Sequence, residues 1–173
     1  MFGKNVNKTI FSSAPVGCQI WRYDESNGWK QIVGGNLGNT SSTNGFGDNE
    51  NIYAWGMEVF NDSLFVGTFN AKGSFMILKP GTKKDMRLLM AEAMLRQKSE
   101  GCEVWKTFDG MQWIQVVGDE TLLGMDGVAN GFGDVNNSGI RSISTHTVNS
   151  EETLFIGTMN HVTGCEIWMY QET

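Results

Sequence analysis

Two clusters of acids and amides are the residues best placed to do chemistry. Asp48-Asn49-Glu50-Asn51 and Asp134-Val135-Asn136-Asn137 each follow a Gly-Phe-Gly turn. Oxygens gathered this closely suit calcium, which takes about six to eight oxygen ligands. The same side chains also bond to the backbone two residues on and build turns without any ligand. The turn reading is preferred for both clusters, with calcium at Asp48 and Asp134 as the alternative and no cofactor as the expectation. Asn70 and Asn160 close two recurring segments, Leu64–Asn70 and Leu154–Asn160, and His161 follows the second. Asp48, Asn51, Asn70, Asp134, Asn137, Asn160 and His161 form the candidate ligand-binding set.

The remaining reactive groups are sparse. His146 and His161 have no counterparts elsewhere in the chain. A nucleophile, base and orienting acid cannot be assembled from any local pattern, so no catalytic residue is assigned. Gly-Phe-Gly-Asp precedes a strand pattern and not a helix, so it is no phosphate-binding loop.

Cys18, Cys102 and Cys165 each sit in a copy of Gly-Cys-x-Ile/Val-Trp. Equivalent positions in successive units lie too far apart for a disulfide, whose Cα atoms are ~4.4–6.8 Å apart. There is no Cys-x-x-Cys pair for a metal. All three thiols are expected to be buried and to pack as small apolar groups. Free thiols, and a Met1–Ala14 stretch without a cationic start followed by an apolar run, predict a cytoplasmic protein.

The charge balance narrows the partners. With 13 basic and 19 acidic residues the net charge is −6, and no basic stripe offers a nucleic-acid surface. No apolar run reaches membrane-spanning length. Hydrophobic content of 40%, with 22 glycines and only 2 prolines, suits a folded protein of short strands and tight turns.

The elements that position these residues recur in fixed order. Gly17-Cys18-Gln19-Ile20-Trp21 returns as Gly101-Cys102-Glu103-Val104-Trp105 and as Gly164-Cys165-Glu166-Ile167-Trp168. Asn44-Gly45-Phe46-Gly47-Asp48 returns as Asn130-Gly131-Phe132-Gly133-Asp134. Such self-similarity predicts a repeat architecture. Cys102 to Cys165 spans 63 positions and Cys18 to Cys102 spans 84; the segment 80–100, without a counterpart, accounts for the difference. A unit of about 60 residues holds four short strands, which commonly run ~5–6 residues. The four strand patterns per unit are rich in β-branched and aromatic residues and are bounded by turn residues, Asn61-Asp62-Ser63 and Phe108-Asp109-Gly110 among them.

The expectation is an all-β protein of β-propeller type, a single repeat domain over 1–173. Its four-stranded antiparallel blades number about three per chain, with units at about 1–34, 44–118 and 130–173. Trp21, Trp105 and Trp168 are expected to fill the space between units.

The segment 84–98 reads as an inserted amphipathic helix. Met86, Leu89, Met90, Ala93 and Met94 fall at helical spacing, and its residues are good helix formers. Met86, Met90 and Met94 form an adaptable stripe suited to a protein contact. In an antiparallel blade this insert shares one face with the Gly-Phe-Gly-Asp loops, and elaborated loops carry function.

The hairpin turns carry a family resemblance. Thr107-Phe108-Asp109-Gly110-Met111-Gln112-Trp113 and Asp24-Glu25-Ser26-Asn27-Gly28-Trp29 resemble the Asp box of sialidase-like propellers. The first is one residue short between Asp and Trp, and the second lacks the Ser/Thr. The wider pattern is similar to uncharacterised bacterial and archaeal propeller-repeat proteins. The resemblance implies that Asp24 and Asp109 staple hairpins and are not catalytic. A sialidase site also needs an arginine cluster, which Arg22, Arg87, Arg96 and Arg141 do not provide.

Three units are few for a ring, since propellers have ~four to eight blades. Two copies joined head to tail would supply six. The expected function is therefore a non-catalytic scaffold or binding module, assembled as a homodimeric ring, whose loop-and-helix face meets a protein or glycan. The alternatives are a glycan-active hydrolase or lyase with a site at the ring centre, or a fragment of a longer propeller.

Overall fold

The computed structural model describes residues 17–35, 42–71, 101–118 and 128–171. Within them the protein is all-β. The strands are β1 (Ile20–Asp24), β2 (Gly28–Val33), β3 (Asn51–Phe60), β4 (Ser63–Asn70), β5 (Val104–Thr107), β6 (Ile114–Val117), β7 (Gly139–Val148), β8 (Glu151–Met159) and β9 (Ile167–Tyr170). The expected helix over 84–98, with Met86, Met90 and Met94, lies outside the described residues.

Local sequence fixes the hairpins. Asn61 and Asp62 join β3 to β4 in left-handed conformations, φ 45° and 57°, with Phe60 opposite Ser63. Asn149 and Ser150 do the same between β7 and β8. Two left-handed residues match the right-handed twist of the flanking strands, and Asn and Asp tolerate them at low cost.

The other two hairpins are tied by an aspartate. Asp24 Oδ1 accepts the backbone N–H groups of Ser26 at 2.8 Å and Asn27 at 3.0 Å. Asp109 Oδ1 accepts those of Met111 at 2.7 Å and Gln112 at 2.8 Å. Thr107 Oγ1 adds a third tie, accepting the Gly110 N–H at 2.9 Å.

Strands β3, β4, β5 and β6 pair antiparallel in chain order, as do β7, β8 and β9. A single pair, Phe69 opposite Gly139, joins the two groups into a seven-stranded sheet that curls into half a barrel. The β1–β2 hairpin forms a separate sheet.

Alternation along the strands feeds two cores. In β4, Phe65 belongs to a cluster with Val104, Val117, Ile140, Leu154 and Ile156, between the β3–β6 meander and β7–β9. The next residue, Val66, belongs to a second cluster with Cys18, Ile20, Ile32, Val33 and Phe46, between the meander and β1–β2. Successive side chains point to opposite faces of a strand, so one meander is apolar on both sides. Full burial of side chains this size contributes about 1.5–3 kcal/mol each.

Two expectations need correction. Cys18 and Cys102 are buried, but Cys165 is exposed, because among the described residues no sheet packs on its side of β9. Trp105 packs against the β1–β2 core, whereas Trp21 and Trp168 remain 51% and 38% exposed. Those two do not fill a closed space as the repeat pattern suggests.

Candidate functional site

The Gly-Phe-Gly-Asp loops form short 3-10 turns, Asn44–Gly47 and Asn130–Gly133. Gly45 and Phe46 both take left-handed φ near 61°, and Gly131 and Phe132 take 62° and 58°. A bulky residue there costs ~1–2 kcal/mol. Aromatic stacking offsets it: the Phe46 ring lies 4.9 Å from Trp105 at 7°, and Phe132 lies 4.7 Å from Trp168 at 12°.

A Gly-Cys segment from earlier in the chain locks each turn. Gly17 and Gly101, at φ 67° and 78°, let the chain approach so closely that a Cβ would stand 2.7 Å from the backbone of Gly45 or Gly131. Backbone bonds seal the contact: Cys18 N–H to Asn51 O and Cys102 N–H to Asn137 O, both 2.7 Å.

Behind each turn sits a buried polar cluster. Asn51 is fully buried, and its Nδ2 donates to Glu103 Oε2 at 2.8 Å and to Gly45 O at 3.1 Å. Asn70 Nδ2 donates to Asp48 Oδ2 at 2.8 Å and to Asn51 Oδ1 at 3.2 Å. Trp105 Nε1 donates to Glu103 Oε2 at 2.8 Å, so the stacked indole and the amide share one carboxylate oxygen.

The second cluster repeats these bonds. Asn137 donates to Glu166 and Gly131, Asn160 to Asp134 and Asn137, and Trp168 to Glu166, at 2.8–3.0 Å. Two threonines join it: Thr163 Oγ1 donates to Asp134 Oδ2 at 2.8 Å, and Thr158 Oγ1 donates to Asn137 Oδ1 at 3.0 Å.

Six of the seven candidate residues thus gather into two equivalent clusters. His161 does not; it is exposed in the loop after Asn160. His146, exposed on β7, belongs to neither cluster. Sequence reasoning missed Glu103, Glu166 and the threonines Thr68, Thr158 and Thr163. The signal for the glutamates was present: the third residue of Gly-Cys-x-Ile/Val-Trp is Glu twice and Gln19 once. It reads as a strand label until the fold brings it beneath the asparagine that follows the preceding turn.

The chemistry of the clusters is that of a staple. Asp48 Oδ1 accepts the Glu50 N–H at 2.8 Å, and its Oδ2 accepts Asn70. Asp134 Oδ1 accepts both the backbone and the side-chain N–H groups of Asn136. The Asn136 N–H, then the Thr163 hydroxyl, hold the Asp134 carboxyl below its ordinary range. Each of these aspartate oxygens accepts at least one N–H or O–H of the same chain. Among the described residues no three His, Cys, Asp or Glu side chains gather round one point where an ion could sit.

Two further features lie outside the clusters. An apolar cavity of about 230 Å³ opens beside Phe65, Val104, Phe132, Trp168, Met169 and Tyr170. At the loop end of β3, the Arg141 guanidinium stands 4.6 Å over Trp55, next to Phe69 and the 56% exposed Tyr53.

Comparison with protein-family models, with curated proteins and with solved structures gives no significant match. Among the described residues no helix is long and apolar enough to cross a membrane.

Proposed function

We propose that this chain is a non-catalytic scaffold or binding module of β-propeller type. Its units are four-stranded antiparallel blades of the Asp-box kind found in sialidase-like propellers, about three to a chain. The observation that carries this reading is the inward use of the acids. Asp48, Asp134, Glu103 and Glu166 spend carboxylate oxygens on donors of their own chain. Groups so committed hold loops in place and need no cofactor.

The surface left for a partner is the loop end. Exposed Tyr53, with Trp55 and Arg141 beside it, supplies aromatic faces and a cation for a protein or glycan. Two copies would supply six blades and close a ring.

The test pairs activity with stability. Chromogenic glycosides and polysaccharides are incubated with the wild type and with Glu103→Gln. The expected result is no turnover in either, with a lowered melting temperature in the variant. Turnover that disappears in Glu103→Gln while melting is unchanged would replace the scaffold reading with an enzyme. A glycan array alongside separates sugar ligands from protein ones.

A further inference from the structure

The Gly-Cys-x-Ile/Val-Trp strand occurs as β1, β5 and β9, and each copy has two faces. In β5 both are covered. Val104 is fully buried against β7–β9, and Trp105 packs into the β1–β2 core with Trp113. In β1 only the forward face is covered: Ile20, the counterpart of Val104, is 5% exposed. Among the described residues nothing covers its backward face. Trp21 is 51% exposed and Tyr23 59%, and Trp29, the counterpart of Trp113, is 68% exposed.

In β9 the situation is reversed. Trp168 stacks on Phe132, and Tyr170 packs on Phe60 and Phe65, so the backward face is engaged. Among the described residues nothing covers the forward face. Ile167, the counterpart of Ile20 and Val104, is 77% exposed, Met169 is 58% exposed, and Cys165 is exposed where Cys18 and Cys102 are buried. Around Gly164 nothing lies within 4 Å of where a Cβ would stand, whereas Gly17 and Gly101 are pressed against a neighbouring turn.

The two bare faces are therefore the two halves of a joint that the chain makes twice within itself. We propose that the forward face of β9 (Cys165, Ile167, Met169) docks on the backward face of the β1–β2 hairpin (Trp21, Tyr23, Trp29) of a second copy. The occupant is a second copy because each bare half carries the residue types that the other half meets at the internal joints: Ile20 and Cys18 against Trp105 and Trp113, and Val104 and Cys102 against Phe132. The contact is heterologous, with different residues on the two sides, and two such joints close a pair head to tail. This deepens the assembly named under the proposed function and rests on that reading only for the shape of the ring.

Light scattering on the full chain tests it, with Trp21→Glu and Ile167→Glu, both at exposed positions. The wild type is expected at twice the chain mass and each variant at one chain mass, with the strand signal in far-ultraviolet circular dichroism retained. An equimolar mixture of the two variants is expected to return to two chains, because one joint then unites two intact halves. A self-matching interface would give no such rescue. A wild type at one chain mass, or a mixture that stays monomeric, overturns the inference. Either result leaves the scaffold reading to its own test of turnover and melting.

Discussion

Asn51 Nδ2 lies 2.8 Å from Glu103 Oε2, across 52 positions of sequence and in full burial. Asn137 and Glu166 repeat the contact at 2.8 Å across 29 positions. Each amide ties the start of one strand to the motif strand that lies two strands further on. Truncation leaves a buried carboxylate short of a donor, a penalty of about 1–3 kcal/mol or more. Asn51→Ala and Asn137→Ala are each expected to destabilise by ~2–4 kcal/mol, read by urea unfolding. A loss within ~0.5 kcal/mol for either would mean that the cluster is decorative.

The same site gives a charge test. Asn51→Asp places a carboxylate beside Glu103 with no N–H to offer it. Like charges disfavour ionisation and raise the carboxyl values. The variant is expected to melt well below the wild type at pH 7 and to recover part of the deficit near pH 4, where one carboxyl holds a proton. Melting temperatures at the two pH values check the sign.

Glycine at the joint is a second dependency. Gly17→Ala and Gly101→Ala combine a positive φ with a Cβ at 2.7 Å from backbone atoms, and a cost of about 2–5 kcal/mol follows from strain and overpacking together. In the monomeric Trp21→Glu background, Gly164→Ala meets the φ penalty alone, so it is expected to cost ~1–2 kcal/mol there. Equal losses at all three positions in that monomeric background would contradict the open surroundings of Gly164.

Thiol reactivity separates the three cysteines. Burial pushes the Cys18 thiol up to about 11 and the Cys102 thiol up to about 12, so neither offers thiolate at neutral pH. In the monomeric Trp21→Glu variant one thiol per chain is expected to react quickly with a maleimide. Adding Cys165→Ser should abolish that phase, and denaturant should release the other two. In the paired wild type the fast phase is expected to slow.

Acid sensitivity follows from the aspartate ties. Backbone N–H groups hold Asp24 and Asp109, and Asn136 holds Asp134, below the ordinary carboxylate range. The unfolded chain takes up protons first as pH falls, so this stabilisation is present above about pH 4 and is lost below it. Melting temperature is expected to fall on the acid side of that value, and less steeply in Asp24→Asn/Asp109→Asn. An unchanged acid limb in that variant would show that other carboxyls govern it.

The order of strands, the hairpin turns and the aspartate staples were legible because each is written in adjacent residues. Asn61-Asp62 specifies its turn by tolerating left-handed φ, and Asp109 reaches N–H groups only two and three positions away. The acid–amide clusters were half legible. Asp48 and Asn51 stand out in one loop, but Glu103 enters only when another strand arrives beneath it, and no spacing rule carries that information. His161 shows the converse: proximity in sequence to Asn160 placed it in the set, and the loop turns it to solvent.

The sequence by itself determined which segments become strands and that the same joint is built more than once, since alternation and turn chemistry act over a few residues. Tertiary structure alone decided which copy of each motif is covered. Ile20, Val104 and Ile167 occupy one position in three similar strands, yet their exposures are 5%, 0% and 77%. Burial depends on whether another sheet lies opposite, and that is a property of the packed molecule and not of the motif.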